Sequence, residues 1–369
     1  MRQVALIASP ALWSSGHGSG HPLRPERLRR TLELMAACGL LARKNVTVLP
    51  PRLATDEELA LFHTPEYVDA VRRLSRGDRG PDASRFNFGP GDNPVFAGMY
   101  ESEAVKAGGA LLGAERVVSG SSDVAFNFGG GLHHAWRDHA SGFCVFNDAA
   151  IAIQWLANLR WRIAYIDLDV HHGDGVQWAF YDNDRVLTIS LHQDGRTLFP
   201  GTGGLEEIGR GVGLGYAVNL PLPRHTDDEA YLWAFDQIVP PLIARFEPDI
   251  LVTQLGVDTH VLDPLAELDL TTHGQVALVE RLARLAPRWL ALGGGGYNLD
   301  VVPRAWTLAL AVMAEARPPL ELPSGYRSAH GGRMLHDESL PPIDPRLRAE
   351  ARLAVERLVA EARRIHRLD

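Results

Sequence analysis

Two cysteines, Cys38 and Cys144, are all that the 369 residues contain, too few for a disulfide framework or a thiolate zinc site. Lysine is as scarce: Lys44 and Lys106 stand alone among 37 basic residues, and arginine supplies the rest. That reads as codon bias rather than function. Positive charge is not in excess. A net charge of −8 and a pI near 6.0 argue against a nucleic-acid partner and favour a cationic substrate. No apolar run approaches the roughly 20 residues that span a bilayer. The opening MRQVALIASPALW is broken at Pro10 and lacks the longer apolar core and cleavage site of a secretory signal. It reads as a first strand over Val4–Ala8 of a cytoplasmic protein with no membrane partner. Internal repeats and low-complexity linkers are missing too.

What remains is ordinary globular material, 46% hydrophobic and 22% charged, in a chain long enough for a large core. Short apolar, β-branched runs recur: VALIA, VTVLP, VAFNF, RIAYIDL, RVLTISL, YAVNLPL, DILVTQL and WLALG. Helix-like segments such as ESEAVKAGGALLGAERVVSG and DDEAYLWAFDQIVPPLIARF separate several of them. Continuous apolar strands alternating with helices predict an α/β fold, a mostly parallel open sheet of about eight strands with helices on both faces. Residues 1–330 are expected to form one domain. Residues 331–369 are a polar extension of it, ending in the amphipathic helix DPRLRAEARLAVERLVAEARRIHRL packed on the outside.

Five of these strands deliver unusual polar groups at their carboxyl ends. VAFNF runs into GGGLHHA, RIAYIDL into DVHHGDG, RVLTISL into HQDG, DILVTQL into GVDTH, and WLAL into GGGGYN. In open parallel sheets that edge is where ligands bind.

Asp167, Asp169 and His171 recur at every second position, so an extended strand would point them to one side. Asp169 and His171 could share one cation, with Asp258 from another strand as third ligand. Two carboxylates and one imidazole with an open position suit a catalytic zinc, or another divalent ion such as Fe(II). An isolated D-x-D would more simply cap a loop, but His171 and Asp258 beside it favour the metal. The pair His133-His134 follows Gly129–Gly131, whose missing side chains permit a tight loop near a ligand. Adjacent histidines are by default a solvated pair. Here two spare acids, Asp167 and Asp174, could each orient one imidazole, making a general base or a charged electrostatic aid. Tyr297 follows four glycines, Gly293–Gly296. Its phenol could donate to an oxyanion, or its ring could simply pack over the sheet edge; the residues alone leave both open.

The motifs GGGLHHA, GFCVFNDAA, YIDLDVHHGDG, SLHQDGRTLFPGTGG, QLGVDTHVLDPL and LGGGGYN closely resemble those of the zinc-dependent histone deacetylase family, which includes bacterial acetoin-utilisation proteins and acetylpolyamine amidohydrolases. HPLRPERLRRTLELMAACGL and HTPEYVDAV fit its amino-terminal part, so the resemblance runs from about His21 to about Ala305. It implies the three-layer arginase-deacetylase fold. It also implies zinc, or Fe(II), on Asp169, His171 and Asp258, with His133 and His134 oriented by Asp167 and Asp174. His134 would take a proton from water and return it to the leaving amine, while His133 and Tyr297 stabilise the tetrahedral oxyanion; a carboxylate and a free amine are the products. An acyl-lysine channel is implied between Phe143 and Phe199, with Gly142 keeping its throat open. A rim acid matches Asp92, in a loop that departs from the family's pattern. A structural K⁺ or Na⁺ is implied on the Asp167 carboxylate, the Ser190 hydroxyl and the main-chain carbonyls of Asp169, His171 and Leu191.

Two rivals differ in class. A dinuclear manganese hydrolase of the arginase type needs a second acid in the late loop, which here reads Asp258-Thr259-His260. A non-catalytic acyl-lysine binder would be expected to have lost a ligand, a histidine or the tyrosine, and none is missing. Acyl-lysine in a protein or peptide ranks first as substrate and small acetylated amines such as polyamines second. Polyamine enzymes of the family narrow the channel by loop insertions and dimerisation. No such insertion is identifiable, and a homo-oligomer stays open.

Overall fold

Each of the eight apolar runs forms a strand. The computed structural model describes all residues except Ser19, Arg79, Pro81, Pro287 and Asp369. Among the described residues the strands are β1 (Val4–Ile7), β2 (Val46–Leu49), β3 (Val124–Asn127), β4 (Ile163–Asp167), β5 (Val186–Gln193), β6 (Ala217–Leu222), β7 (Ile250–Gln254) and β8 (Trp289–Leu292). The helices of the first half are α1 (Glu26–Ala37), α2 (Asp56–Leu59), α3 (Pro65–Ser75), α4 (Asp82–Arg85), α5 (Met99–Val118), α6 (Asp148–Asn158) and α7 (Asp174–Ala179). Those of the second half are α8 (Asp228–Phe246), α9 (Thr272–Leu285), α10 (Val302–Met313), α11 (Ser324–His330) and α12 (Pro345–His366). None is long and apolar enough to cross a membrane.

The sheet order is β2-β1-β3-β8-β7-β4-β5-β6, and every pairing is parallel. Parallel neighbours need crossover connections, which the helices supply. Alternate side chains along each strand enter two separate cores, giving three layers. Leu6, Phe126 and Ile166 pack with α1, α8, α9 and α10 on one face; Ala5, Ala125 and Tyr165 pack with α3, α5 and α6 on the other. Burying one large apolar side chain stabilises by about 1.5–3 kcal/mol, so rows of them on both faces hold the strand ends in place. The amphipathic α12 seats Val355, Val359 and Ala362 in the first of these cores. Its Arg352 and Arg348 pair with Glu229 on α8 and with Asp227 just before it.

Register sets the functional edge. Asp167 lies opposite both Gln254 and Ser190, while Gln254 and Asn127 each lie opposite Leu292. Five neighbouring strands, β3, β8, β7, β4 and β5, therefore send their polar loops out along one stretch of the sheet.

Candidate active site and metal centre

The D-x-D-x-H run does not continue as a straight strand. β4 stops at Asp167, and the chain bends. Asp167 Oδ1 accepts the Asp169 N–H at 3.1 Å, and Asp169 Oδ1 accepts the His171 N–H at 3.0 Å. Two successive side-chain-to-backbone turns of this kind compete with the sheet ladder and win. The result splits the three residues that simple alternation puts on one side. Asp169 and His171 converge with Asp258, whose loop follows β7, and their donor atoms all lie within 4.8 Å of one another. Asp167 turns instead toward His133.

This donor set fits a divalent cation. All three side chains are buried. Both Asp169 oxygens are engaged: Gln254 Nε2 and the Gly295 N–H donate to Oδ2 at 2.5 and 2.7 Å. Asp258 Oδ1 accepts the Val170 N–H at 3.0 Å, but its Oδ2 has no hydrogen bond although His171 Nδ1 lies 3.2 Å away. The proximity is without hydrogen-bond alignment, so a buried carboxylate oxygen is left for another partner. Burial and the Asp169 charge push the Asp258 carboxyl up to about 6. Burial opposes charge on His171, yet its hydrogen bond with Asp169 and the adjacent Asp258 charge hold its imidazole up to about 10. Two carboxylates pulling a positive charge into one gap is what a cation site looks like electrostatically. Gly295 and Gly256 close that gap so tightly that a Cβ at either would collide with the Asp169 carboxylate, and one at Gly295 with Asp258 as well. No second group of three such donors occurs among the described residues.

Beside it stand two imidazole–carboxylate pairs. His133 Nδ1 lies 2.8 Å from Asp167 Oδ2, which also accepts the Tyr165 hydroxyl at 2.6 Å. His134 Nδ1 lies 2.7 Å from Asp174 Oδ1. The two Nε2 atoms face each other at 3.0 Å, which requires one donor and one acceptor. Electrostatics assigns them. Burial disfavours charge on His133, but Asp167 and Asp169 outweigh it and hold the ring up to about 9. Burial and the His133 charge push His134 down to about 4 against the pull of Asp174. Protonated His133 thus donates to neutral His134, whose Nε2 accepts.

The loops that present these groups are fixed by residues outside the candidate set. Asp148 accepts the N–H groups of Gly131 and Leu132, and Asn147 donates to the carbonyls of His133 and Ala135. Buried Arg27 donates to the Gly294 and Gly296 carbonyls at 2.7 and 3.0 Å, and Asp263 accepts the Tyr297 N–H at 2.8 Å. Gln254 was visible only as a polar residue ending an apolar strand.

Tyr297 resolves toward the site. It lines one recess with Leu132, His133, His134, Phe143 and Asp169, and its ring meets Phe143 edge-on at 5.8 Å. Phe199 meets His134 edge-on at 5.0 Å. Gly142, at φ 49°, lies between them; a Cβ there would fall within 2.8 Å of both the His134 and Phe199 rings. Asp92 is exposed, its carbonyl 3.2 Å from His21 Nε2, and His21 packs edge-on against Phe143. Ser190 faces Asp167 across the β4–β5 pair, with its hydroxyl 2.8 Å from His192 Nδ1, and the Leu191 carbonyl accepts the Tyr231 hydroxyl at 3.0 Å.

Comparison with known proteins points the same way. The histone deacetylase domain family matches residues 21–313. The acetoin utilization protein AcuC of Bacillus subtilis is 41% identical over 335 residues, covering 88% of this chain and 85% of that protein. Histone deacetylase HDAC1 of Drosophila melanogaster is 40% identical over 310 residues, 83% of this chain and 59% of that longer one. Among solved structures, a histone deacetylase homologue from Aquifex aeolicus superposes with a TM-score of 0.88 at 31% identity over 98% of this chain and all of that one. A homologue complexed with SAHA gives 0.89, also at 31% identity over 98% of this chain and all of that one.

Proposed function

The chain belongs to the histone deacetylase family, a family of deacetylase hydrolases, and on that premise we propose that it removes acetyl or other acyl groups from lysine side chains of proteins or peptides with zinc, or failing that Fe(II), as cofactor. The observation that carries the reading is the meeting of a three-donor cation site with two imidazole–carboxylate pairs of opposite protonation at the foot of an aromatic recess. Asp169, His171 and Asp258 would hold the ion, which when bound supplies Lewis acidity toward the amide carbonyl and the attacking water. The chain's own groups do the rest. His134 Nε2, neutral at pH 7, receives the water's proton and delivers it to the leaving nitrogen. Asp174 keeps the His134 hydrogen on Nδ1, so Nε2 is an acceptor, which exchanges its bond from the His133 Nε2–H for the water's proton as His133 turns its hydrogen to the oxyanion. His133, protonated against Asp167, and the Tyr297 hydroxyl donate to the oxyanion as it forms. Phe143 and Phe199 flank the alkyl stem, Gly142 leaves it room, and Asp92 receives the substrate backbone at the rim.

A structural K⁺ or Na⁺ on Asp167, Ser190 and the carbonyls of Asp169, His171 and Leu191 belongs to the same proposal. Residues 331–369 are read as part of the catalytic domain, because α12 is seated in its core and Asp337 bonds to His260. The test is a panel on the zinc- and iron-loaded protein: acetyl-lysine peptides, longer acyl-lysine peptides, acetylputrescine and acetylspermidine. The peptides should be turned over with at least tenfold higher kcat/KM. A preference for the acetylpolyamines overturns the lysine reading, and a metal-loaded protein that hydrolyses none of them overturns the enzyme.

A further inference from the structure

Asp337 sits in the segment between α11 and α12, far in sequence from every motif above, yet it reaches the loop of the third cation donor. His260 Nε2 lies 2.9 Å from Asp337 Oδ2. The His260 ring is 1% exposed and its Nδ1 accepts the Leu262 N–H at 3.1 Å, which places the ring hydrogen on Nε2, directed at Asp337. The same Asp337 oxygen accepts the Thr272 N–H and hydroxyl at 2.7 and 2.8 Å, and Oδ1 pairs with Arg304 at 2.8 Å. Asp337 thus joins the Asp258 loop to the start of α9 and to α10.

That matters because Asp258 has little to hold its side chain. Only Oδ1 is hydrogen-bonded, so the direction of Oδ2 follows from the backbone that carries it. The backbone is suspended between fixed points: Val261 N–H to Leu270 O at 2.9 Å, Gln275 Nε2 to Val257 O at 3.3 Å, and His260 to Asp337. Asp263, which receives the Tyr297 N–H, lies on the same loop. We infer that Asp337 is a positioning residue which, through His260, fixes the loop presenting Asp258 and so completes the cation site. The inference rests on the donor set proposed above. It gives the C-terminal segment a part in metal binding that its sequence does not announce.

The experiment is a double-mutant cycle on the full chain with Asp337→Ala, His260→Ala and both together. Each stripped protein is titrated with Co²⁺ against a competing chelator and followed by ligand-field absorption, with the melting temperature of the stripped protein recorded alongside. Outer partners of metal ligands are worth roughly 10- to 100-fold in affinity. Each single variant should therefore bind Co²⁺ at least about tenfold more weakly, and the double variant should bind no worse than Asp337→Ala alone. A general structural role would lower the melting temperature and leave affinity within twofold, or make the two losses additive; either result overturns the inference. Should Asp337→Ala fail to fold, His260→Ala decides alone by the same affinity criterion. If the wild type itself binds no Co²⁺, the donor-set reading falls and this inference with it. If the wild type binds and the variants match it, only the inference falls.

Discussion

In the buried cluster that meets the recess at Asp169, here its floor, Asp167, Asp169, His171 and Asp258 are 0–7% exposed, and every carboxylate oxygen but one is hydrogen-bonded. At its mouth Phe199 is 43% exposed and meets His134 and His171 only through ring edges. The two regions lie within a few residues of each other in space but are held by different forces. Directional bonds to buried charges tolerate no substitution without stranding a partner. Ring packing at a solvent-facing edge is softer and changes in small steps. Floor variants should therefore fail in metal binding and chemistry, and wall variants in substrate binding.

The largest effect is expected at the floor. Asp258→Ala removes one of three donors, and two protein ligands seldom hold a catalytic zinc. Metal content should fall to near zero, and turnover should be abolished with it. Metal analysis and a peptide assay on one sample check this. A variant that keeps full metal and activity breaks the comparison at its base.

Tyr297 stands between floor and wall, lining the recess with His134 and Asp169 while its ring touches Phe143. Tyr297→Phe keeps the ring and removes only the donor. An oxyanion donor is worth about 10²–10³ in kcat, and the loss should fall on kcat with KM and metal content near wild type. Retention of more than about half of wild-type kcat would move Tyr297 to the wall.

The same contrast governs what could be read from the sequence. Apolar β-branched runs and the polar loops after them are local patterns, so the eight strands, the polar loops along one sheet edge and the clustered acids and histidines are legible. Long-range bonds are not. Gln254 reaches Asp169 across 85 positions, His260 reaches Asp337 across 77, and Arg27 reaches Gly294 across 267. No periodicity encodes such pairs, because each depends on which loops the sheet order brings together. The bend after Asp167 was missed for a different reason. Alternation assumes the strand continues, whereas two Asp side chains capture the next backbone N–H groups and end it. Tyr297 was left open because a glycine run specifies freedom, not direction; the Arg27 and Asp263 bonds that hold its loop supply the direction.

The smallest effect is expected at the mouth. Phe199→Ala removes an aromatic wall whose ring is nearly half exposed and makes no hydrogen bond. Covering about 40 Å² of an alkyl stem stabilises by about 1 kcal/mol, or roughly fivefold in binding. KM for an acetyl-lysine peptide should therefore rise about fivefold, with kcat within about threefold and metal content unchanged. Hydroxamates give an independent reading, because the chelating group addresses the floor and the tail addresses the walls. In the wild type a hydroxamate with a long alkyl or aryl tail should bind much more tightly than acetohydroxamate. In Phe199→Ala that advantage should shrink while acetohydroxamate affinity holds. Phe199 also touches His134 edge-on at 5.0 Å, so the opposite outcome is physically available. If kcat falls by about a hundredfold, the scale of a lost catalytic group, with KM and the hydroxamate ratio intact, then the ring serves to seat His134 and the wall belongs to the floor.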